Sequence, residues 1–335
     1  MAMERDRGVE LVSEDALDPD LAICDAHHHL WDRPDSRYMR DDFSEDAKGH
    51  NVVSSVFVEC MSGYRTEGPE ASRPVGETEF VDAIAEESLV EDPGMAVAAG
   101  IVGFADLRLG GAVAPVLEEH IAASPDRFRG IRHSCSWDAS PAIRKSHTKP
   151  PEHLYMDPVF REGFACLEGT GLTFDAWLYH PQLMELVDLA RAFPGVTIIL
   201  DHFGGPLGIG PYEGKRDQVF VEWKKCIEEL AQCPNVVMKL GGLLMPINGW
   251  GFHKQEQPPA SEALAAATAP YYDLCIEQFG VQRCMFESNF PVDKASCSFR
   301  TLWNSFKRIA GGCTPAEKAA LFHDTAVTVY KLDVQ

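Results

Sequence analysis

The first residues of this chain that could do chemistry are histidines that closely follow the apolar stretch Leu21–Cys24. They are His27, His28 and His29. Because side chains alternate between the two faces of a strand, His27 and His29 point the same way and could bind one metal ion. A solvated loop or the remnant of an expression tag is also rich in histidine, but a tag lies at a terminus. The position of the run favours a metal site at the end of a strand.

Ionisable or amide side chains lie at the ends of most of the predicted strands. In chain order they are His27 and His29, Glu59, Arg132 and His133, Asp175 and His180, Asp201 and His202, Lys239, and Glu287 and Asn289. Burying such groups is costly unless they serve a metal, a ligand or each other. Their repetition predicts a functional site built from strand ends.

The elements that must position these side chains alternate regularly along the chain. Apolar, β-branched runs predict strands at 22–28, 52–60, 96–104, 128–134, 172–180, 196–202, 235–242 and 283–289. Apolar residues at helical spacing predict helices at 77–90, 111–123, 157–169, 183–193, 217–232, 262–279, 299–310 and 315–323. Eight alternations predict a (β/α)8 TIM barrel, because parallel strands need helical crossovers.

The barrel is expected to be a single domain at 21–335, preceded by an N-terminal extension at 1–20. Three long segments follow strands two, six and seven, at 61–76, 203–214 and 243–261, and are expected to form extended loops around the site. A doubly wound open sheet is the alternative fold. It would need a glycine-rich phosphate loop after an early strand, and the sequence contains no GxGxxG or Walker motif.

The composition restricts the classes of partner. With 30 basic and 51 acidic residues, the net charge of −21 opposes binding to nucleic acid or to an anionic membrane, and favours a small-molecule substrate. The ten cysteines are scattered and contain no CxxC pair, which is typical of free thiols in a cytoplasmic protein. No apolar run reaches the roughly 18 residues of a membrane span. A helical exterior is compatible with a homodimer, although no sequence feature marks an interface.

Seven segments resemble, in order, the amidohydrolase superfamily, and specifically its amidohydrolase-2 branch, which contains sugar-acid lactonases and 2-pyrone-4,6-dicarboxylate lactonase. They are DAHHHLWD, VAAGIVGFADL, RFRGIRH, TFDAWLYHPQL, IILDHFGGP, NVVMKLGGL and RCMFESNFPVD. The resemblance extends from about residue 22 to the C-terminus and implies a (β/α)8 barrel that hydrolyses a cyclic ester at its C-terminal mouth. It further implies that His27, His29 and His202 line the reaction centre, with His180 as a further candidate.

One position departs from the family pattern. Where relatives usually carry Gly-Ser-Asp-Trp-Pro, this chain has Glu287-Ser288-Asn289-Phe290-Pro291. Asn289 cannot act as the base that activates water, because an amide has no basic site at neutral pH. Glu287, Asp293 or a histidine could take that role. Alternatively, Glu287 is structural and pairs with Lys239 on the neighbouring strand.

Zinc is the expected cofactor, although the resemblance leaves a metal-independent reaction open. Zinc needs three or four ligands with one open position, which His27, His29 and His202 could supply, with Asn289 or Glu59 as a weak oxygen ligand. A zinc-bound water with a pKa near 7 would then be the nucleophile. Without metal, the three imidazoles would polarise the substrate carbonyl.

Substrate binding is expected to involve Arg132, because a guanidinium can hold a carboxylate by two parallel hydrogen bonds. An inward cation in an acidic protein suggests an anionic ligand, but an ion pair between Arg132 and Asp106 or Asp175 is the alternative. The other predicted substrate-binding residues are Glu59, Tyr64, His133, Trp137, Asp175, Tyr179, His180 and Lys239.

These observations predict a hydrolase that opens a lactone of a sugar acid or of an intermediate of aromatic degradation. The predicted catalytic residues are His27, His29, His202, Glu287 and Asn289. A zinc-dependent non-oxidative decarboxylase, in which Glu287 protonates a carbanion, is the first alternative. The second is a non-catalytic binding protein, for which the amide of Asn289 is the argument.

Overall fold

A nearly closed barrel of eight parallel strands forms the centre of the protein, whose computed structural model describes residues 14–334. Neighbouring strands follow each other in chain order, which confirms the predicted (β/α)8 architecture. The barrel strands are β1 (Ala22–His28), β4 (Asn51–Val58), β5 (Ala96–Gly103), β6 (Phe128–Arg132), β7 (Thr173–Ala176), β8 (Ile198–Leu200), β9 (Val236–Leu240) and β10 (Cys284–Phe286), while β2 (Trp31–Arg33) and β3 (Ser36–Tyr38) form a separate hairpin.

The helices lie between the strands, largely where the apolar spacing predicts them. They are α1 (Arg40–Ala47), α2 (Val75–Glu91), α3 (Ala114–Ala123), α4 (Pro158–Ala165), α5 (Leu183–Ala192), α6 (Arg216–Ala231), α7 (Ser261–Phe279), α8 (Phe299–Ile309), α9 (Pro315–Ala319) and α10 (Thr325–Tyr330). A π-helical turn at 320–324 joins α9 to α10, so the chain stays helical beyond the predicted end at 323. The prediction missed α1, which is short and polar apart from Phe43 and Ala47, so it offers too few apolar residues to show a period.

Two layers of apolar side chains fill the molecule. One lies between the strands and the surrounding helices and includes Phe57 and Phe174. The other contains alternate strand residues such as Val56 and Ile199 together with Tyr330 of α10. Because side chains of a strand alternate between its faces, this second layer fills the inside of the barrel.

The first and last strands meet through their carboxyl-terminal extensions. His28 forms a parallel bridge with Phe290, the amide of His29 donates to the Phe290 carbonyl (2.8 Å), and the amide of Asn289 donates to the His27 carbonyl (2.9 Å). The histidine run and the segment 287–291 after β10 therefore hold each other in register. Two sequence motifs 260 residues apart become adjacent walls of one site.

Residues 14–20, which belong to the predicted N-terminal extension, lie against the helices. The Glu14 carboxylate accepts a hydrogen bond from the Ser261 amide (2.7 Å), and the Leu17 amide donates to Asn304 (2.8 Å). Residues 1–13 of that extension lie outside the described residues. In the part of the chain that the structure describes, no helix is both long enough and apolar enough to cross a membrane.

A left-handed turn after β8 aims one functional side chain into the barrel. His202, Phe203, Gly204 and Gly205 all have positive φ angles, between 49° and 62°. Left-handed backbone is unfavourable for residues that carry a Cβ. The Trp223 indole nitrogen of α6 donates to the carbonyl of Phe203 (2.7 Å) and fixes the turn from outside.

Replacing Trp223 by phenylalanine is expected to destabilise the protein by about 1–3 kcal/mol more than the same change at Trp303. Both indoles are fully buried, but the Trp303 nitrogen has no hydrogen-bond partner among the described residues. Trp223→Phe therefore leaves the Phe203 carbonyl unpaired, whereas Trp303→Phe removes an unsatisfied donor. Urea unfolding measures both free energies, and equal destabilisation would contradict the proposed support of the turn.

Candidate functional site

His27, at the end of β1, is the centre of a buried polar cluster inside the mouth of the barrel. Its Nε2 lies 3.3 Å from Nε2 of His29. Its Nδ1 lies 2.9 Å from Glu287 Oε2, outside the angles of a well-formed hydrogen bond, and 3.3 Å from the Lys239 ammonium. Burial, together with that ammonium, lowers the pKa of His27 to about 4. At neutral pH the ring is therefore uncharged, as a metal ligand must be.

Glu287 connects the walls of this cluster. Its Oε1 accepts a hydrogen bond from His202 Nδ1 (2.7 Å), while Oε2 faces His27. Burial alone would raise the pKa of Glu287, but the two imidazoles hold it well below the usual range. The carboxylate thereby fixes the His202 tautomer, with the proton on Nδ1. The glycine at 242 makes room, since a Cβ there would lie 2.2 Å from His202 Nδ1.

Lys239 pairs with two carboxylates other than Glu287. Its ammonium donates to Asp175 Oδ2 (2.6 Å) and lies 3.2 Å from Asp201 Oδ1. Tyr330, at the C-terminal end of α10, also donates to Asp175 Oδ2 (2.8 Å). The alternative of a direct Glu287–Lys239 pair is therefore wrong, because β7 and β8 present closer anions.

Arg132 also forms ion pairs, but with partners other than the two predicted ones. Its Nε donates to Glu59 Oε1 (2.9 Å) and its Nη2 to the Glu59 carbonyl (2.6 Å), while Nη1 lies 3.5 Å from Asp201 Oδ2. The expected alternative partner Asp106 instead holds Arg108 through both oxygens. The Nε–Nη2 edge of the guanidinium, which could hold a substrate carboxylate, thus binds Glu59 instead.

The charges of the cluster do not cancel. Four buried carboxylates, those of Glu59, Asp175, Asp201 and Glu287, face only two buried cations, Arg132 and Lys239. Each carboxylate also has one oxygen without a hydrogen bond among the described residues. Burying an excess of two formal negative charges is unfavourable unless a cation or protons balance it.

A group of three side chains in this cluster could bind a metal ion. Ligand atoms of His27, Asp201 and His202 lie within 4.8 Å of one another, and all three residues are buried. Two nitrogens and one oxygen are a donor set that suits zinc. The carboxylate oxygens without hydrogen bonds and the unbalanced negative charge of the cluster also favour a bound cation. The residues present therefore fit a divalent cation.

This group differs from the predicted ligand set. His29 is not one of the three, although its Nδ1 donates to the Val58 carbonyl (2.7 Å) and its Nε2 lies 3.3 Å from Nε2 of His27. Asn289 has a left-handed backbone (φ 54°), and its amide donates to Asp293 Oδ1 (3.2 Å). Asp201, which immediately precedes His202, belongs to the group although it was not predicted as a ligand. Its signal in the sequence was its position at a strand end.

Several predicted substrate-binding residues lie away from the cluster. His133 accepts a hydrogen bond from the Leu107 amide and packs between two phenylalanines, and His180 accepts from the Leu207 amide. The Tyr179 hydroxyl donates to the Arg144 carbonyl, and the Lys145 ammonium lies over the Trp137 ring, 5.0 Å from the ring centroid. These contacts position the loops after β6 and β7.

Tyr64 lies in a cavity of about 630 Å³ beside the cluster. The lining includes Met61, Tyr64, Arg73, Phe104, Arg108 and His147. The Tyr64 hydroxyl is buried without a hydrogen-bond partner among the described residues. His147, which sequence reasoning missed because its loop has neither periodicity nor a motif, lies 3.6 Å from Glu59 Oε2. His147 therefore lies between the cavity and Glu59 of the polar cluster.

The fold and the site together define a (β/α)8-barrel protein with a candidate metal centre at the carboxyl ends of its strands. The chain belongs to the amidohydrolase family, whose Amidohydro_2 model matches residues 24–332. Over 93% of this chain and 99% of the relative, it is 35% identical to the uncharacterized protein y4mH of Sinorhizobium fredii. The family predicted from the motifs is thereby confirmed.

Sugar-acid lactonases are among the relatives. The L-fucono-1,5-lactonase of Burkholderia multivorans is 26% identical over 92% of this chain and 95% of its own length. A crystal structure of an amidohydrolase from Burkholderia multivorans with bound zinc superposes with a TM-score of 0.71 at 23% identity, over 93% of this chain and 99% of that chain. At that identity the structural likeness shows the shared fold.

Lys239→Met is expected to destabilise the protein by about 3–5 kcal/mol, because it leaves Asp175 and Asp201 buried without their cation. The matched control is Lys224→Met, which removes an exposed i,i+4 partner of Glu228 and is expected to change stability by no more than about 0.5 kcal/mol. Chemical unfolding of both variants measures the difference. A Lys239→Met protein as stable as the control would show that the buried charges are balanced in another way.

Proposed function

We propose that this protein hydrolyses the ester bond of a lactone, with a sugar-acid lactone as the substrate class. The observation that carries the proposal is the Glu287 carboxylate between two imidazoles, 2.7 Å from His202 and 2.9 Å from His27. It orients two ring nitrogens at the mouth of the barrel, where a carbonyl could bind. The relationship to L-fucono-1,5-lactonase supports the choice of a cyclic ester.

Zinc is the proposed cofactor, held by His27, Asp201 and His202. The bound zinc in the Burkholderia multivorans structure supports this choice. When bound, zinc would supply an activated water and polarise the substrate carbonyl. The chain's own part is to keep His27 neutral, which burial and the Lys239 ammonium achieve, and to orient the two imidazoles, which Glu287 does.

The cations of the cluster are proposed to stabilise negative charge during the reaction. Arg132 Nη1 lies 3.4 Å from His27 Nε2, so its positive charge borders the place where a carbonyl oxygen would gain charge. Lys239 holds Asp175 and Asp201 in fixed orientations. Trp177 contacts the His202 ring edge to face at 4.9 Å and shields it from water.

The neighbouring cavity has room for such a substrate. Its volume of about 630 Å³ lies inside the range of roughly 300–1,000 Å³ that is usual for small-molecule sites. Its lining combines apolar side chains such as Met61 and Phe104 with polar groups such as Tyr64 and Arg73. That mixture suits a ring with hydroxyl groups and an apolar edge.

Glu287→Gln is expected to lower kcat/KM for lactone hydrolysis by about 10–100-fold, because a neutral amide orients the imidazoles less well. A panel of 1,4- and 1,5-sugar-acid lactones is assayed by acid release with a pH indicator. The control is Glu229→Gln, which removes an exposed partner of Arg191. A wild-type protein that is inert across the panel, or that instead releases carbon dioxide from aromatic acids, would overturn the proposal.

Asp201→Asn is expected to weaken zinc binding by at least about tenfold, because an amide oxygen is a poorer ligand than a carboxylate. Competition with a chromophoric chelator measures the zinc affinity directly, without any substrate. Asp188→Asn, at an exposed carboxylate paired with Arg161, is the control and should bind zinc like the wild type. Equal affinity in both variants would exclude Asp201 as a ligand.

A further inference from the structure

We propose that His147, on the loop between β6 and α4, transfers the proton in lactone opening, a role that rests on the proposed function. His147 lines the 630 Å³ cavity and faces the polar cluster through Glu59. Asn289, which follows the last barrel strand, carries an amide and cannot act as a base. The structure therefore offers a second place from which a water molecule can lose its proton.

The side chains of the cluster are already engaged. Glu287 holds His27 and His202, and the Nδ1 atom of His29 is bound to the Val58 carbonyl. Asp293, which is close enough to Asn289 to accept from its amide, is almost completely buried and belongs to the loop that follows. These residues hold one another in place, while His147 borders open space.

The position of His147 is fixed from both sides. Ser146 and Thr148 each donate a hydroxyl hydrogen bond to the carbonyl of Ser134, at the end of β6. This double attachment holds the intervening imidazole over Glu59. The ring also contacts Phe104 edge to face, with centroids 5.8 Å apart.

Glu59 is the orienting partner. Arg132 binds Glu59 Oε1, which leaves Oε2 directed at His147 Nε2 at 3.6 Å. Neither of these two atoms has a hydrogen-bond partner among the described residues. The separation is slightly longer than a hydrogen bond, as is often found for catalytic pairs without substrate.

The charged groups that face His147 are Glu59, Arg132 and Arg144. Burial lowers the pKa of His147 below its usual range, Glu59 opposes that shift, and the two arginines add to it. The imidazole is then neutral at pH 7 and can accept a proton. Its side chain is 23% exposed, and Nδ1, unlike the buried Nε2, is the ring nitrogen that a water molecule can reach from the cavity and that accepts the proton.

In the proposed step, His147 takes one proton from water as the water oxygen forms a bond to the lactone carbonyl carbon. The carbonyl π electrons move to its oxygen, and the other water hydrogen stays on the new hydroxyl group. When the oxyanion collapses, the bond between the carbonyl carbon and the ring oxygen breaks, and the ring oxygen takes the proton from the imidazolium. The products are a hydroxy acid and neutral His147.

His147→Gln tests this role in the zinc-loaded full-length protein. We expect kcat for the best lactone of the panel to fall by about 10²-fold or more, with KM changed less than about threefold, because general acid–base catalysis typically contributes 10²–10⁴-fold. Added imidazole should restore part of the lost rate in His147→Gln, a readout that a merely structural role would not move. Glu59→Gln should lower kcat less.

The control is His153→Gln, at an exposed histidine later in the same loop that pairs with Glu185, and it should keep the wild-type rate. If His147→Gln retains kcat within about twofold, or loses activity without imidazole rescue, the role of His147 is overturned while the lactonase function stands. If the wild type opens no lactone, both proposals are overturned together. Matching unfolding midpoints of the variants establish that the fold is unchanged.

Discussion

The balance of buried charge at the mouth of the barrel is the constraint on which the rest of this structure depends. Four carboxylates and two cations are contributed by different strands, and none of them is stable in an apolar interior on its own. Ion pairs such as Lys239–Asp175 and Arg132–Glu59 therefore join several of the strands. The two cations do not balance the four carboxylates. The remaining negative charge makes the cluster receptive to a divalent cation.

The geometry of this cluster follows from the closure of the barrel and from a helix near the C-terminus. The parallel bridge between His28 and Phe290 brings the first and last barrel strands together, and the left-handed turn at His202 directs that ring inward. Tyr330 reaches Asp175 from α10, which lies near the C-terminus. The contacts that close the barrel consequently also place the residues of the site.

The barrel could be predicted because the spacing of apolar residues marks its strands and helices. The site could be predicted only in part. His27, His202, Glu287, Arg132 and Lys239 were identified from strand ends, and the structure brings them together. The partners of each charge could not be predicted, since they depend on strand register. Strand lengths mattered as well: β7 ends at 176, so Tyr179 and His180 lie beyond the strand and contact neighbouring loops.

The amide at position 289 has an electrostatic explanation. Asp293 already places a carboxyl group 3.2 Å from the side chain of Asn289, and burial raises the pKa of Asp293 to about 7. An aspartate at position 289 would set two carboxyl groups against each other beside Glu287, in a cluster whose negative charge is already in excess. The amide instead donates a hydrogen bond to Asp293 and adds no charge. The amide is thus the side chain that this crowded, acidic centre favours at position 289.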